Sequence, residues 1–311
     1  MGEYSFYRID ESRYIDLITI SKSAFGIDPG LSYYEMKGRT RQFGEPFLGY
    51  IAYHSSGEPA AFYGVYAHPV IHEGKQYSAA QSGDTMTHKN HTGKGLFITL
   101  AKMTYDLAAK NGISFVFGFP NDNSYPGFAK KLNWVFPEKL KEYRQKVGTL
   151  PFAKLAKKVL FIRSLYNIYS KIIFSFYRPD KLSFQNSANE NKNLTVLHSD
   201  DFVKYKSFSG CRLVKIGSVH AWIRVDGFLF IGDIEKNLTV DIAVINKKIR
   251  QLAFFLGADV IIFQTSPDTY FDKAFGSILK SKDAYQVGYI NFNSELPLEK
   301  IKFVMADFDT F

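Results

Sequence analysis

The chain has 311 residues, of which 46% are apolar and 22% charged, and its formal net charge is +9. This composition predicts a globular protein of one large or two ordinary domains and excludes a disordered or membrane-spanning chain. The single cysteine, Cys211, excludes an intramolecular disulfide and fits a reducing compartment. Because the N-terminal stretch has no basic segment followed by an apolar run, we expect no secretory signal and a cytoplasmic location.

Helix-like and strand-like patterns alternate over residues 1–137, which we predict to be the first domain. The predicted elements are a helix over 10–26, strands over 47–53, 59–71 and 76–87, a helix over 95–110, a buried strand over 113–120 and a short helix over 125–134. This order predicts a mixed α+β layer with one strand–helix–strand crossover.

Basic side chains are concentrated between Lys139 and Lys181, where eleven Lys or Arg residues occur with only two acids. The spacing predicts amphipathic helices, so residues 138–192 are interpreted as a basic helical connector that ends in a polar linker over 183–192. Such helices could bridge two domains, lie on an anionic membrane or follow a nucleic-acid backbone. Because four apolar residues share one helical face, we favour the connector, with peripheral membrane contact through 139–181 second, and do not expect nucleic acid. Those four residues are Phe152, Leu155, Val159 and Ile162.

Residues 193–311 have a second α+β pattern. A hairpin around Asp226-Gly227 is followed by a helix over 241–258, a buried strand over 259–266 and two further strands over 287–293 and 302–311. The order repeats that of the first domain without its glycine-rich turn. This region is therefore either a degenerate copy of the first domain or a second, unrelated α+β pattern.

The turn Thr92-Gly93-Lys94-Gly95 is the strongest functional signal, since it joins a polar strand to a long amphipathic helix. Glycine permits positive φ and close approach to the backbone. The unpaired N–H groups and dipole of a helix that begins there suit a phosphate or pyrophosphate. A Walker loop is excluded because Ser or Thr does not follow a Gly-Lys pair at the required spacing, and a Rossmann fingerprint is weak because Ile98 stands where Gly or Ala is needed.

Residues 81–134 resemble the central motif of the GNAT superfamily of acyl-CoA N-acyltransferases. The family's Gly-x-Gly core is present, although Thr92 stands where Gln or Arg is usual and Phe97 where a small residue is usual. The ending Lys130-Lys131-Leu132-Asn133-Trp134 is similar to the family's Lys-Lys-Leu-Gly-Phe. The resemblance implies an α+β fold in which a mixed, mostly antiparallel sheet is flanked by helices, with acetyl-CoA or another acyl-CoA as cofactor.

The resemblance also implies which residues hold the cofactor. Backbone groups on the third strand would pair with the pantetheine arm, turn amides would hold the pyrophosphate, and two residues after the buried strand would line the site. In that order these are Thr85, Met86 and Thr87; then Thr92, Gly93, Lys94, Gly95, Leu96 and Phe97; then Asn123 and Ser124. Each has a structural alternative, since the glycines could merely shape a tight turn and Asn123 could merely cap a helix.

Catalytic candidates follow from the same resemblance. The family's thiol acid is often a Tyr, but the matching place here is Phe128-Ala129, and the nearest hydroxyl is Tyr125. Asp84, on the strand beside the expected acyl group, is the candidate base. An aromatic packing residue and a solvated carboxylate are the alternatives. No metal site is expected, because the pairs at 68/72 and 88/91 lack Cys or an evident carboxylate partner. The segment 33–41 is interpreted as a surface loop, with contact to the acceptor as the alternative.

These observations predict transfer of an acetyl or other acyl group from acyl-CoA to a small-molecule or peptide amine. An aminoacyl-tRNA-dependent transferase of cell-wall precursors is the second enzymatic interpretation, because the basic segment would suit a tRNA. A binding protein that holds acyl-CoA without turnover is the alternative from another class. The sequence determines neither the acceptor nor the oligomeric state.

Overall fold

The computed structural model describes residues 2–190 and 192–311, and Met1 and Asn191 lie outside the described residues. The chain forms two compact units. Unit 1 comprises residues 1–137 and 286–299, and unit 2 comprises residues 138–285 and 300–311. The sequence also placed a boundary after residue 137, but it assigned residues 286–299 to the second domain. Unit 1 is thus assembled from two distant segments of the chain.

Strands and helices alternate along the chain. The strands are β1 (Tyr4–Arg8), β2 (Leu48–His54), β3 (Pro59–His72), β4 (Lys75–Thr87), β5 (Phe115–Gly118), β6 (Val135–Lys146), β7 (Thr195–Val196), β8 (Arg212–Ile216), β9 (Val219–Val225), β10 (Leu229–Ile234), β11 (Val260–Thr265) and β12 (Ser281–Asn291). The helices are α1 (Tyr14–Phe25), α2 (Leu31–Lys37), α3 (Leu96–Lys110), α4 (Tyr125–Lys131), α5 (Phe152–Lys158), α6 (Leu160–Ser175), α7 (Asp200–Lys206), α8 (Ile242–Phe255) and α9 (Tyr270–Gly276).

The sheet of unit 1 runs in the order β1-β2-β3-β4-β5. Strands β1 to β4 are antiparallel neighbours, β4 and β5 are parallel, and residues 288–291 of β12 pair antiparallel with β5. The parallel pair requires a crossover, which α3 supplies. The predicted fold class, a mixed and mostly antiparallel sheet flanked by helices, is therefore confirmed.

The core of unit 1 is built on the apolar faces of its helices. Leu17 and Ile20 of α1 pack with Ile51 of β2 and Phe62 of β3. Leu100 and other apolar residues of α3 are buried as well. These residues recur at intervals of three or four along each helix, which is the spacing that places them on one face.

Unit 2 also contains an antiparallel hairpin, a crossover helix and a parallel strand, in that order along the chain. Its sheet runs β6-β11-β10-β9-β8, with β10 and β11 parallel and the other pairs antiparallel. Helix α8 joins the parallel strands, and its residues Ile245, Ile249 and Leu252 enter the core. A common origin of the two units stays a prediction. Within the described residues, no helix has both the length and the apolar character that crossing a bilayer requires.

The structure differs from the prediction in two segments of unit 2. Residues 138–146 lie in β6 rather than in a helix, because Lys139-Leu140-Lys141-Glu142 alternates exposed or half-buried with buried side chains and Lys141–Lys146 pair with β11. The strand predicted over 302–311 is absent. The carboxylate of Asp307 accepts a hydrogen bond from the Val304 N–H at 2.8 Å and closes a 3₁₀ turn over Met305–Asp307.

The segment predicted as a polar linker is packed into unit 2 over much of its length. Asn186 and Ser187 are buried, and the Ser187 N–H and hydroxyl both donate to the carboxylate of Asp233. His198 lies between two buried acids, with Nε2 2.8 Å from Asp307 Oδ1 and Nδ1 3.4 Å from Asp233 Oδ2. Short polar side chains therefore serve here as partners for buried charges.

Stability should depend on pH through His198. Burial opposes its protonation, but interactions with Asp233 and Asp307 outweigh burial and raise the pKa of His198 to about 9. A raised pKa gives a contribution that is complete below pH 6.5, the ordinary value, and is lost as pH rises through about 9. We expect the free energy of unfolding to fall by on the order of 3 kcal/mol across that range.

Denaturant unfolding at a series of pH values, followed by the fluorescence of Trp222 in Trp134→Phe protein, measures this loss. The imidazole proton shifts of His198 should titrate in the same range. A free energy of unfolding that is flat from pH 6.5 to about 9 would contradict the assignment.

Candidate active site

The pairing between strands β4 and β5 ends in the middle of unit 1, which leaves an opening between them. Their parallel pairing covers Ala80 with Val116 and Gln81 with Phe117, whereas β4 continues to Thr87. On its other side β4 remains paired with β3 up to Thr87. The backbone of β4 beyond Gln81 thus offers a strand edge toward the opening, and an extended group can pair with such an edge.

A β-bulge shapes β4 inside this opening. Phe62 pairs with Met86 and Gly64 with Gly83, so Asp84 and Thr85 together oppose one residue of β3. Asp84 has φ of +52°, a left-handed conformation that is uncommon for a residue with a side chain. Of the strand residues predicted to hold the cofactor, Met86 is buried and Thr85 and Thr87 are half-buried. The bulge places the backbone of Asp84 and Thr85 out of regular ladder register.

The Asp84 carboxylate is held by side chains from α2 and β3. Its Oδ2 lies 2.8 Å from Lys37 Nζ and accepts a hydrogen bond from the Tyr66 hydroxyl, while Oδ1 is 3.4 Å from the Tyr33 hydroxyl. Lys37 is only 1% exposed, so its charge depends on Asp84 for compensation. Burial and the negative charge of Asp84 raise the pKa of Tyr66 well above its ordinary value, which keeps that hydroxyl a donor.

The turn before α3 presents open backbone amides. Gly93 and Gly95 have φ of +75° and +74°, and a Cβ at either would meet no atom within 4 Å. Within residues 2–190 and 192–311, the amides from Gly93 to Phe97 donate no recorded hydrogen bond, and the first bonded amide is that of Ile98, to the Gly95 carbonyl. These amides lie at the positive end of the α3 dipole and are suited to an anion.

Two side chains of the turn make contacts with neighbouring residues. Thr92 Oγ1 donates to the Lys89 carbonyl at 3.1 Å, and the exposed Lys94 ammonium lies 3.4 Å from Glu3. Leu96 and Phe97 are the first two residues of α3, and the Phe97 ring packs on Phe128 at 5.2 Å. The substitution of Phe for the usual small residue is thus accommodated by an aromatic pair below the turn.

The turn after β5 is organised by Asn121 rather than by Asn123. Asn121 Oδ1 accepts the N–H groups of Asn123 and Ser124, both at 3.1 Å, and the Ser124 hydroxyl also donates to Asn121. The alternative role of Asn123 as a helix cap is therefore wrong. Asn123 is exposed, and its side chain has no recorded bond within the described part of the chain.

Two aromatic residues of α4 occupy different surroundings. Tyr125 is half-buried, with its ring 4.7 Å from that of Phe136, and Phe128 is buried against Trp134 at 4.4 Å. Phe128 has no hydroxyl that could act as the thiol acid. Tyr125 carries the side-chain hydroxyl of α4.

Sequence reasoning missed a chain of buried hydroxyls that ends in the opening. Trp134 Nε1 donates to the Tyr105 hydroxyl at 2.9 Å, Tyr105 bonds to Tyr63 at 2.8 Å, and Tyr63 bonds to Ser82 at 2.9 Å. The contributing side chains come from α3, β3 and β4, so no local spacing reveals them.

It also missed Lys37, which lies in the segment interpreted as a surface loop. That segment contains α2, with Tyr34 and Lys37 buried at a spacing of three residues. This spacing places both side chains on one helix face, and it was the available signal. The surface-loop interpretation of residues 33–41 is therefore wrong for α2.

Glu58, His88 and His91 form a cluster just before the turn, and Tyr4 contacts it. His91 Nε2 lies 2.9 Å and His88 Nε2 3.6 Å from the carboxylate of Glu58, while the Tyr4 hydroxyl is 3.1 Å from His91 Nδ1. The hydrogen bond with His91 lowers the pKa of Glu58. His88 and His91 bound a 3₁₀ turn, in which side chains three apart eclipse. The three groups could hold a metal ion, so the absence of a metal site stays a prediction.

Comparison with known proteins identifies the type of domain. Residues 6–136 match the family model of the acetyltransferase (GNAT) domain. No curated protein sequence matches the chain. The matched residues include β4, the glycine-rich turn before α3, and β5.

Solved structures resemble a larger part of the chain. GCN5-related N-acetyltransferases from Kribbella flavida and Anabaena variabilis ATCC 29413 are 9% and 11% identical, with TM-scores of 0.55 and 0.53. A conserved protein of unknown function from Enterococcus faecalis V583 is 12% identical, with a TM-score of 0.58. Each alignment covers 93% of this chain, and 71%, 73% and 73% of those chains respectively. At these identities the likeness concerns the fold.

The Lys37–Asp84 pair should contribute strongly to stability. We expect Asp84→Asn to lower the free energy of unfolding by about 3 kcal/mol, because it removes the negative charge that lies 2.8 Å from the buried Lys37 ammonium. Adding Lys37→Met to Asp84→Asn should restore most of the loss, since it removes that ammonium. Denaturant unfolding of both single variants and the double variant measures the coupling. Additive losses in the double variant would contradict a buried ion pair.

Proposed function

Because residues 6–136 match the family model of the acetyltransferase (GNAT) domain, we propose that the chain transfers an acyl group from a coenzyme A thioester to an amine. Acyl transfer is the general activity that the family supports. One observation supports a coenzyme A thioester as the acyl donor. The turn amides without a bonded partner and the unpaired strand edge lie in the same segment. The proposed acceptor is a small molecule or a peptide with a free amine.

The residues fit coenzyme A at both ends of the opening. The amides from Gly93 to Phe97 would hold the pyrophosphate, because they have no recorded acceptor in the described chain and the glycines leave the space before them clear. Thr85, Met86 and Thr87 would pair through their backbone with the pantetheine arm. Asn123 and Ser124 would line the far side. Bound there, the cofactor supplies an activated thioester.

Asp84 is the proposed general base. Both Lys37 and Tyr66 contact its Oδ2, whereas among the described residues Oδ1 is contacted only by the Tyr33 hydroxyl at 3.4 Å. Oδ1 would therefore retain lone pairs for a proton from the amine. Attack forms the C–N bond and breaks the C–S bond. The amine proton passes to Asp84, and Tyr125 is the proposed donor of a proton to the departing thiolate. Backbone N–H groups of the bulge would stabilise the oxyanion.

Cofactor affinity should depend on the conformation of Gly95. Ala at a φ of +74° costs about 1–2 kcal/mol, and relief of that strain turns the amides away from the anion. We expect Gly95→Ala to weaken the Kd for coenzyme A about tenfold or more, measured by isothermal titration calorimetry.

Gly112→Ala is the matched control, because Gly112 follows the other end of α3 with φ of +80° and an equally open surrounding. It should lower stability to a similar extent and leave the Kd unchanged. Equal loss of affinity in both variants would assign the effect to strain alone. Failure of wild-type protein to bind any coenzyme A compound would contradict the proposed function.

The proposed role of Asp84 as general base can be tested separately from its role in stability. We expect Lys37→Met to keep most of the activity and the double variant Asp84→Asn/Lys37→Met to lose about a hundredfold in kcat, because only the latter lacks a base. The assay follows thiol release from acetyl-CoA with an amine that wild type accepts from a panel of amino sugars, polyamines and peptides.

Both variants should bind coenzyme A as wild type does. Equal kcat in the two variants would exclude Asp84 as the base. If wild type binds acetyl-CoA but releases no thiol with any amine of the panel, the chain is a binding protein rather than an enzyme.

A further inference from the structure

Helix α6 of unit 2 exposes a row of large apolar side chains. Five residues at successive spacings of four, three, four and four are 50–78% exposed, which places them on one side of the helix. They are Phe161, Leu165, Ile168, Ile172 and Phe176, and we call them the α6 stripe. Contiguous exposed apolar surface of this kind marks an interaction site rather than ordinary surface.

The opposite side of α6 anchors the helix and fixes the direction of the stripe. Tyr166 is buried and donates to the Leu256 carbonyl at 2.9 Å, and the Tyr169 hydroxyl donates to the Phe255 carbonyl. Ile162 and Ile173 pack against the core of unit 2. The helix is therefore apolar over more of its circumference than its contacts with unit 2 require.

A groove with both apolar and polar walls continues the stripe. It has a volume of about 440 Å³ and lies between the end of α6, the β8–β9 turn and α8, with Phe176, Tyr177 and Phe255 among its walls. Lys215 and Lys248 also line it. Phe254 and Phe255 of α8 are 52% and 40% exposed, so apolar surface extends from α6 onto α8.

Basic side chains predominate around the stripe, although Lys154, Lys157 and Lys181 are ion-paired with Asp259, Asp226 and Glu235. Between residues 150 and 182 there are seven Lys or Arg residues and one acid, Asp180. That acid is engaged with Lys215 and His220. Arg163 and Lys171 are exposed on α6 itself. A surface that is apolar along its centre and basic at its margins is complementary to a layer of acyl chains under anionic headgroups.

We propose that unit 2 binds the surface of a membrane that contains anionic lipids, with α6 lying in the plane of the interface. The helix has 16 residues and a length of about 24 Å, shorter than the hydrocarbon core, so it lies along the bilayer. A second copy of the chain is a poorer occupant, because a symmetric contact through this patch would bring its like charges together. The sequence analysis kept membrane contact through 139–181 as its second interpretation, and the proposal limits that contact to α6 and its neighbours.

Vesicle flotation with the full-length chain tests the proposal. We expect wild type to float with vesicles of phosphatidylcholine and about one quarter phosphatidylglycerol, to float much less with phosphatidylcholine alone, and to lose binding between about 0.1 M and about 0.5 M salt. Ile168→Gln/Ile172→Gln should lower the floated fraction at least threefold. Arg163→Gln/Lys171→Gln should lower it on anionic vesicles specifically.

Matched controls come from unit 1. Ile15→Gln/Ile27→Gln removes two isoleucines that are 58% and 57% exposed, and Lys102→Gln/Lys110→Gln removes two exposed lysines of α3. Both should float as wild type does. Because all substituted side chains are exposed, melting temperatures should change little, and coenzyme A binding provides a separate test of folding.

Absence of flotation with anionic vesicles would overturn the proposal, as would stripe variants that bind like wild type. A wild-type dimer in light scattering that the isoleucine variant converts to monomer, without flotation, would assign the stripe to self-association instead. The measurement does not require acyl transfer, so the proposal and the proposed function fail or succeed separately.

Discussion

The separation of β4 from β5 is the constraint on which the site of unit 1 depends. Two residues of each strand pair, and beyond them β4 is held only from the side of β3. Backbone groups left unpaired in a sheet must be satisfied by some partner, and here the opening continues to a helix start whose amides are also open. A strand edge and a set of open helix amides thus lie in one segment, and the proposed binding of coenzyme A rests on this arrangement.

The buried pair of Lys37 and Asp84 shapes the centre of that path. A bulge with a non-glycine residue at positive φ is costly, and the carboxylate of that residue is held by an ammonium and two hydroxyl groups from other elements. The contacts explain how the strained backbone persists. They also leave Asp84 Oδ1 with only one long contact among the described residues. Under the proposed mechanism, one side chain would therefore both stabilise the bulge and act as the base.

The crossover helices of the two units, α3 and α8, differ at their N-termini. In unit 1, α3 begins at Gly95 without a side-chain cap. In unit 2, α8 begins at Asp241, whose carboxylate accepts the Ala243 N–H at 2.8 Å and occupies the position that an anion would take. Unit 2 instead presents an apolar and basic surface on α6. If both proposals hold, one unit would bind the acyl donor and the other would bind a membrane surface.

Sequence alone determined the order of α1, β2, β3, β4, α3, β5 and α4 in unit 1, the fold class and the glycine-rich turn, but not β1 or α2. The predicted features depend on local periodicity and on backbone conformations that only certain residues adopt. It did not reveal Lys37 beside Asp84, or the hydroxyl chain from Tyr105 to Ser82, since those contacts join residues 19 to 47 positions apart. It also assigned β6 to a helix, because charges concealed the alternation that pairing with β11 uses. Tertiary structure decided which polar residues are buried together and which apolar face of α6 stays exposed, because burial depends on elements that are remote in sequence.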